Sequence, residues 1–188
     1  MTECPAGSVG AGTGATVGKW AGIETRMKGG IGVASTERGG VVVAACAVVN
    51  SVGDVIGPDG SVLAGARDSK GTWMADLDAD RSLFRGKPSP HANTTLAVVM
   101  TNARLSKVDV NRVARRGQTG FARAIKPVHT SYDGDLVFAL ASGEADATVD
   151  LVAEMGADLV AEAIRTAVLE AVPLGGVPAC RGGEEPGR

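Results

Sequence analysis

Aromatic residues are scarce: three Phe, two Trp and one Tyr stand among 188 residues, so Ala, Val and Leu must fill any core. Cysteine is sparser still. Cys4, Cys46 and Cys180 are odd in number and form no CxxC pair, which argues against a disulfide framework and reads as free thiols in a reducing compartment. Neither sign of charge dominates. Nineteen Lys and Arg against 21 Asp and Glu leave a formal −2, which excludes a strongly basic nucleic-acid footprint, so no nucleic-acid partner is expected. Long apolar runs are missing too. The longest, Val41 to Val49, is less than half of the ~20 residues that span a bilayer, so no membrane partner is expected. No basic stretch followed by an apolar one marks the N-terminus as a secretory signal, and a cytoplasmic location is expected.

What the chain does have is glycine, at 27 positions, and a hydrophobic fraction of 44% with 21% charged residues, the balance of a globular protein. Its length suits one domain, taken as residues 1–188. Gly7 to Gly18 reads as a glycine-rich loop. Ile31 to Ser35 and the β-branched run Val41 to Val49 read as buried strands, the second open to continuation through Val55 and Ile56. Gly57 to Asn93 reads as a long polar connection. Strands are also expected at Thr95 to Thr101 and Leu136 to Ala141. Ser106, with Asp109 in a capping-box-like position, starts a helix that runs to about Ile125, before Pro127. A long helix is expected from about Thr148 to Val172, and the tail from Gly175 reads as frayed. This pattern predicts an α/β sheet packed under helices.

Several motifs fail on their mechanics. Gly10-Ala11-Gly12-Thr13-Gly14-Ala15 fits a relaxed dinucleotide pattern, but no strand precedes it. Gly18-Lys19 is followed by Trp20, where a phosphate-binding loop needs Ser or Thr for magnesium. Asp76, Asp78 and Asp80 begin like a calcium loop, yet Arg81 replaces its glycine and Lys87 its bidentate glutamate. His91 and His129 lack zinc-ligand spacing. No metal or organic cofactor is expected.

One junction carries chemistry. At His91-Ala92-Asn93-Thr94-Thr95-Leu96 a Pro/Ser-rich loop runs directly into an apolar strand. An ordinary strand start accounts for this locally. The alternative makes Thr94 a nucleophile. A threonine hydroxyl needs a base, and an N-terminal threonine supplies its own α-amine, with a pKa near ~8. That requires cleavage between Asn93 and Thr94.

The chain resembles the DmpA-type L-aminopeptidase/D-esterase family (peptidase family S58), which includes β-peptidyl aminopeptidases and nylon-oligomer hydrolases. The resemblance rests on segments that occur in family order over nearly the whole chain: Gly10 to Lys19, Ala47-Val48-Val49-Asn50 before Val52-Gly53-Asp54, Asn93-Thr94-Thr95-Leu96, and Pro127-Val128-His129-Thr130 leading to Asp133-Gly134-Asp135. It implies a four-layer α/β/β/α sandwich, also found in ornithine acetyltransferases, and self-cleavage before Thr94. It also implies roles: Thr94 as nucleophile, Asn50 in oxyanion stabilisation, Lys19 tuning the nucleophile, and Asp133 with Asp135 orienting it. Family chains are longer, with the additional strands before Met1, so apolar sheet edges are expected to lie uncovered. The function implied is a self-processing hydrolase of amide bonds in small peptides or related amides, working as a homo-oligomer of processed protomers. The alternatives are a truncated, non-catalytic homologue and an acyltransferase of the ornithine acetyltransferase type.

Overall fold

The computed structural model describes residues 4–77 and 93–181. In chain order these form β1 (Thr16–Val17), β2 (Met27–Lys28), β3 (Gly30–Arg38), β4 (Val41–Asn50), β5 (Asp54–Ile56), β6 (Val62–Ala64), the single helical turn α1 (Met74–Leu77), β7 (Thr94–Ala103), α2 (Lys107–Ala124), β8 (Ile125–Lys126), β9 (Leu136–Ala145) and α3 (Val149–Leu169). The main sheet has the order β3-β4-β7-β9. β4 runs antiparallel to both of its neighbours, β3 and β7, and β9 runs parallel to β7 after the crossover through α2. Two small sheets, β1-β2 and β6-β5-β8, flank it.

Side-chain alternation divides the main sheet into two unlike faces. Val41, Val43, Ala45, Ala47 and Val49 of β4 are buried, as are Thr95, Ala97, Val99 and Ala103 of β7. This face packs beneath the two long helices. The Ser106 cap is the one expected from the sequence, its hydroxyl accepting from the Asp109 N–H, and the structure adds a second, with the Thr148 hydroxyl accepting from the Leu151 N–H. In α3 the buried set Val152, Leu159, Val160, Ala163, Ile164 and Ala167 gives it the apolar face that meets β3 and β4. The opposite face of the sheet carries Leu96, Met100, Leu136, Phe138 and Leu140, all exposed. Of the four layers expected, the described residues supply a helix layer and this sheet, with its second face open.

α3 comes so close to β3 because glycine lies beneath it. A Cβ added at Gly32 would sit 2.1 Å from the Ala163 carbonyl oxygen, which is backbone and cannot turn aside. Gly32→Ala must therefore lift α3 off the sheet. The expected cost is about 1–3 kcal/mol, the range for overpacking a filled core. Urea denaturation of the two proteins checks it.

The structure corrects the sequence reading at three places. The strand from Val41 does not continue through Val55 and Ile56: β4 ends at Asn50, and Asp54–Ile56 forms β5 in a separate sheet. Within the reversal the Ser51 hydroxyl donates to the Gly53 carbonyl, while Val52 is bonded on both sides by distant segments, its carbonyl accepting from the Lys19 N–H and its N–H donating to Asp133. The connection after Gly57 is not wholly irregular, since it contains β6 and α1. Nor is the tail frayed from its start: Val177 and Ala179 are buried, and the Lys28 N–H donates to the Pro178 carbonyl at 2.7 Å. Asp78, Asp80, Arg81, Lys87 and His91, on which the failed calcium and zinc patterns turned, lie outside the described residues.

Candidate active site

Asn50 is the last residue of β4 and Thr94 the first of β7, and the two are register partners. Since Val49 and Thr95 point into the helix-covered core, Asn50 and Thr94 both belong to the open face. The parallel strand β9 brings a third segment to the same end. Asn93 pairs with Asp133 in an isolated parallel bridge just ahead of the β7–β9 ladder. Four of the five residues singled out in the sequence thus meet at one end of the main sheet through strand register alone.

The fifth, Lys19, enters from the loop after β1. Its backbone N–H donates to the Val52 carbonyl at 2.8 Å, and its ammonium reaches Asn50 Oδ1 at 2.9 Å and the Asn50 carbonyl at 3.3 Å. The Thr16 N–H also donates to Oδ1, at 3.1 Å. With two donors on its oxygen, the Asn50 amide has a fixed orientation, and its Nδ2 is the end that offers protons. Lys19 is only 4% exposed. Burial lowers its pKa to about 8, with Asp133 opposing the shift and Arg26 adding to it.

A buried ammonium of this kind has a signature in solution. Between about 8 and its ordinary value of 10.5 the folded chain binds fewer protons at Lys19 than the unfolded chain. Stability should therefore rise with pH across that window, while below it the cost of burying the charge is present in full. A tenfold change in proton affinity is worth ~1.4 kcal/mol, so the gain is on the order of 1–3 kcal/mol. Urea titrations at several pH values should show this rise, and Lys19→Met should flatten it.

The two carboxylates fasten the backbone around Thr94. Asp133 Oδ1 accepts from the Val52 N–H at 3.1 Å, and its Oδ2 accepts from the Thr130 hydroxyl at 2.6 Å and the Thr130 N–H at 3.2 Å. Asp135 Oδ1 accepts from the Thr95 N–H at 2.9 Å, and its Oδ2 lies 3.0 Å from His129 Nδ1. Burial raises the Asp135 pKa; the Thr95 N–H opposes this, Asp133 adds to it, and His129 opposes it. Among the described residues neither carboxylate bonds the Thr94 hydroxyl. That hydroxyl donates to the carbonyl oxygen of Asn93 at 2.7 Å, and the Gly134 N–H donates to the same oxygen at 2.9 Å.

Sequence reasoning gave His129 no part in this site beyond its place between Pro127 and Thr130. It holds a left-handed backbone, φ 53°, and its ring packs at 5.8 Å from that of Phe121. Its position six residues before Asp135 gave no sign of the contact, because a turn and not a helix joins them. Among the described residues no three His, Cys, Asp or Glu side chains gather as a metal site, and no helix is long and apolar enough to cross a membrane.

The family description of peptidase family S58 matches residues 1–180. An uncharacterized aminopeptidase of Mycobacterium leprae is 40% identical over 92% of this chain and 51% of its own length. A 6-aminohexanoate-oligomer endohydrolase of Paenarthrobacter ureafaciens is 33% identical over 77% of this chain and 41% of its own. The chain thus spans about half the length of the curated relatives it matches, or less. Among solved structures, a β-aminopeptidase of Burkholderia sp. superposes with a TM-score of 0.64 at 24% identity, covering 94% of this chain and 51% of that one. The L-aminopeptidase D-Ala-esterase/amidase of Ochrobactrum anthropi, described as a variant of the Ntn-hydrolase fold, gives 0.63 at 22% identity, covering 93% and 47%. These likenesses show a shared α/β fold.

Proposed function

The chain belongs to peptidase family S58, and we propose that it carries the nucleophile of a self-processing amide hydrolase, an aminopeptidase for small peptides or related amides. The observation that supports this best is the Thr94 hydroxyl 2.7 Å from the Asn93 carbonyl oxygen, beside the Lys19–Asn50 pair. In the first stage Thr94 Oγ adds to the Asn93 carbonyl carbon. The peptide nitrogen leaves, and an ester joins Asn93 to Thr94 until water opens it. Thr94 is then an N-terminal residue whose own amine serves as base. In the second stage the same oxygen attacks a substrate amide, the amine product departs, and water releases the acyl group.

Asn50 donates from Nδ2 to the oxyanion that forms on the substrate carbonyl. Lys19, with its pKa lowered to about 8, is half neutral at that pH and can take a proton there. Asp135 holds Thr95 beside the nucleophile, Asp133 fastens the adjoining Val52 and Thr130, and the working unit is a homo-oligomer of processed protomers. No cofactor enters this scheme. Intact-mass measurement of the protein, alone and with any in-frame sequence preceding Met1, tests it together with an assay on amino-acyl amides. Fragments 1–93 and 94–188 with amide hydrolysis are the expected result. A protein that stays whole and hydrolyses no amide in either form would leave the non-catalytic reading.

A further inference from the structure

Self-cleavage and substrate hydrolysis place negative charge on two different oxygens, and the site offers a separate donor for each. When Thr94 Oγ adds to the Asn93 carbonyl carbon, the carbonyl electron pair moves onto the Asn93 oxygen. This oxygen is the one held at 2.9 Å by the Gly134 backbone N–H. We propose that the Gly134 N–H is the oxyanion donor for the self-cleavage step, a catalytic role distinct from that of Asn50; the inference rests on the self-processing reading above.

Three observations converge on Gly134. Its N–H belongs to the isolated bridge Asn93↔Asp133, so strand pairing aims it at the scissile carbonyl before any reaction begins. Donors fixed at 2.7–3.1 Å from a developing oxyanion need no reorganisation as charge appears. The two residues that flank Gly134 are clamped: Asp133 by Val52 and Thr130, Asp135 by Thr95 and His129. The clamps hold the peptide between them against the carbonyl. Finally, a side chain here would press on the nucleophile itself. A Cβ at residue 134 would stand 2.8 Å from Thr94 Oγ1, in the space the attacking hydroxyl occupies. The glycine thus polarises the bond with its N–H and leaves the nucleophile its place.

The step balances without a co-reactant other than water. The proton lost by Oγ is matched by the one that the Thr94 nitrogen takes up as the C–N bond breaks. The products are the Asn93–Thr94 ester and a free amine. Water then yields the Asn93 carboxylate and the Thr94 hydroxyl.

The test replaces Gly134 with glycolic acid by nonsense suppression, exchanging one backbone N–H for an ester oxygen and adding no atom that crowds Thr94. Cleavage is followed by intact mass in the full chain, together with any in-frame sequence preceding Met1 if that is required for the wild type to cleave. The ester variant is expected to cleave roughly 10²–10³-fold more slowly, the usual effect of losing one oxyanion donor. Hydroxylamine, which intercepts an ester already formed, should not restore scission between residues 93 and 94, because the lost donor acts on the addition that precedes it; its attack on the introduced 133–134 ester is told apart by fragment mass. In a Thr94→Ala background the melting temperature of the same ester variant reports the purely structural loss. Cleavage at the wild-type rate, or full rescue by hydroxylamine, overturns the role of Gly134 and leaves self-processing intact. If the wild type never cleaves in either form, the underlying reading fails instead. As a second variant, Gly134→Ala keeps the N–H and crowds Oγ1, so it too should slow cleavage.

Discussion

Replacing Thr94 by Ala is expected to leave the Asn93–Thr94 bond whole and to lower amide hydrolysis by about 10⁴-fold or more, as loss of a covalent nucleophile does elsewhere. Two separate events are lost with the one oxygen. Without Oγ nothing adds to the Asn93 carbonyl, and without cleavage no α-amine appears to serve as base. The fold should survive. Thr94 is only partly buried, and among the described residues its hydroxyl bonds only the carbonyl of the preceding residue. Thr94→Ser keeps an oxygen at the same position and should retain cleavage at a reduced rate, since the lost methyl group leaves the hydroxyl more rotational freedom. Because the chain spans only about half the length of the relatives, the comparison belongs in a protein that includes any in-frame sequence preceding Met1. Cleavage of the Ala variant at the same bond would sink the nucleophile assignment.

Asn50→Ala is the second large effect. It should cost the processed enzyme 10²–10³ in kcat, about 2.7–4 kcal/mol of transition-state stabilisation. The difficulty is that Asn50 also anchors Lys19 and the Thr16 N–H, so a truncated side chain removes a donor and two acceptor contacts together. Asn50→Asp separates them. Its carboxylate still accepts from Lys19 and Thr16 but has no proton to give. If Asn50 acts as a donor, the Asp variant should be as inactive as Ala while keeping its melting temperature. The new negative charge against Lys19 should also raise the Lys19 pKa and move any basic limb of the pH–rate profile upward. An Asp variant with near-wild-type kcat would mean that anchoring Lys19 is the whole role of Asn50.

Much of this was legible in the sequence because strands report themselves by alternation and helices by their caps. The Val-rich run of β4, the Ser106 cap and the apolar start of β7 each follow from local chemistry. The break at Asn50 did not. Val52, Val55 and Ile56 continue the apolar composition, and the reversal there is fixed by distant partners: the Val52 carbonyl takes the Lys19 N–H, and the Val52 N–H goes to Asp133. The docking of residues 177–179 was hidden for a similar reason, since a Gly/Pro-rich composition describes a chain without partners and Lys28 supplies one. At the site, the residue identities came from a family pattern and their meeting from register. The Asp135–His129 pair required both the turn between them and the burial of one carboxylate, neither of which leaves a periodic trace.

The β4–β7 pairing spans the bond at which cleavage is proposed, and this has a consequence for how the molecule comes apart. β3 and β4 lie before residue 93, whereas β7, β9 and both long helices lie after it. Cutting at the first residue of β7 removes no ladder partner, so the native state is left nearly as it was. The unfolded state changes more, because one chain becomes two that can diffuse apart. Refolding turns from a first-order process into a second-order one, and recovery after denaturation should depend on protein concentration in the cut molecule but not in Thr94→Ala. The stability of a processed molecule of this kind therefore depends on its concentration, and at high dilution it persists through the slowness of its unfolding. The uncut precursor is the form in which the two halves can find each other once and reliably.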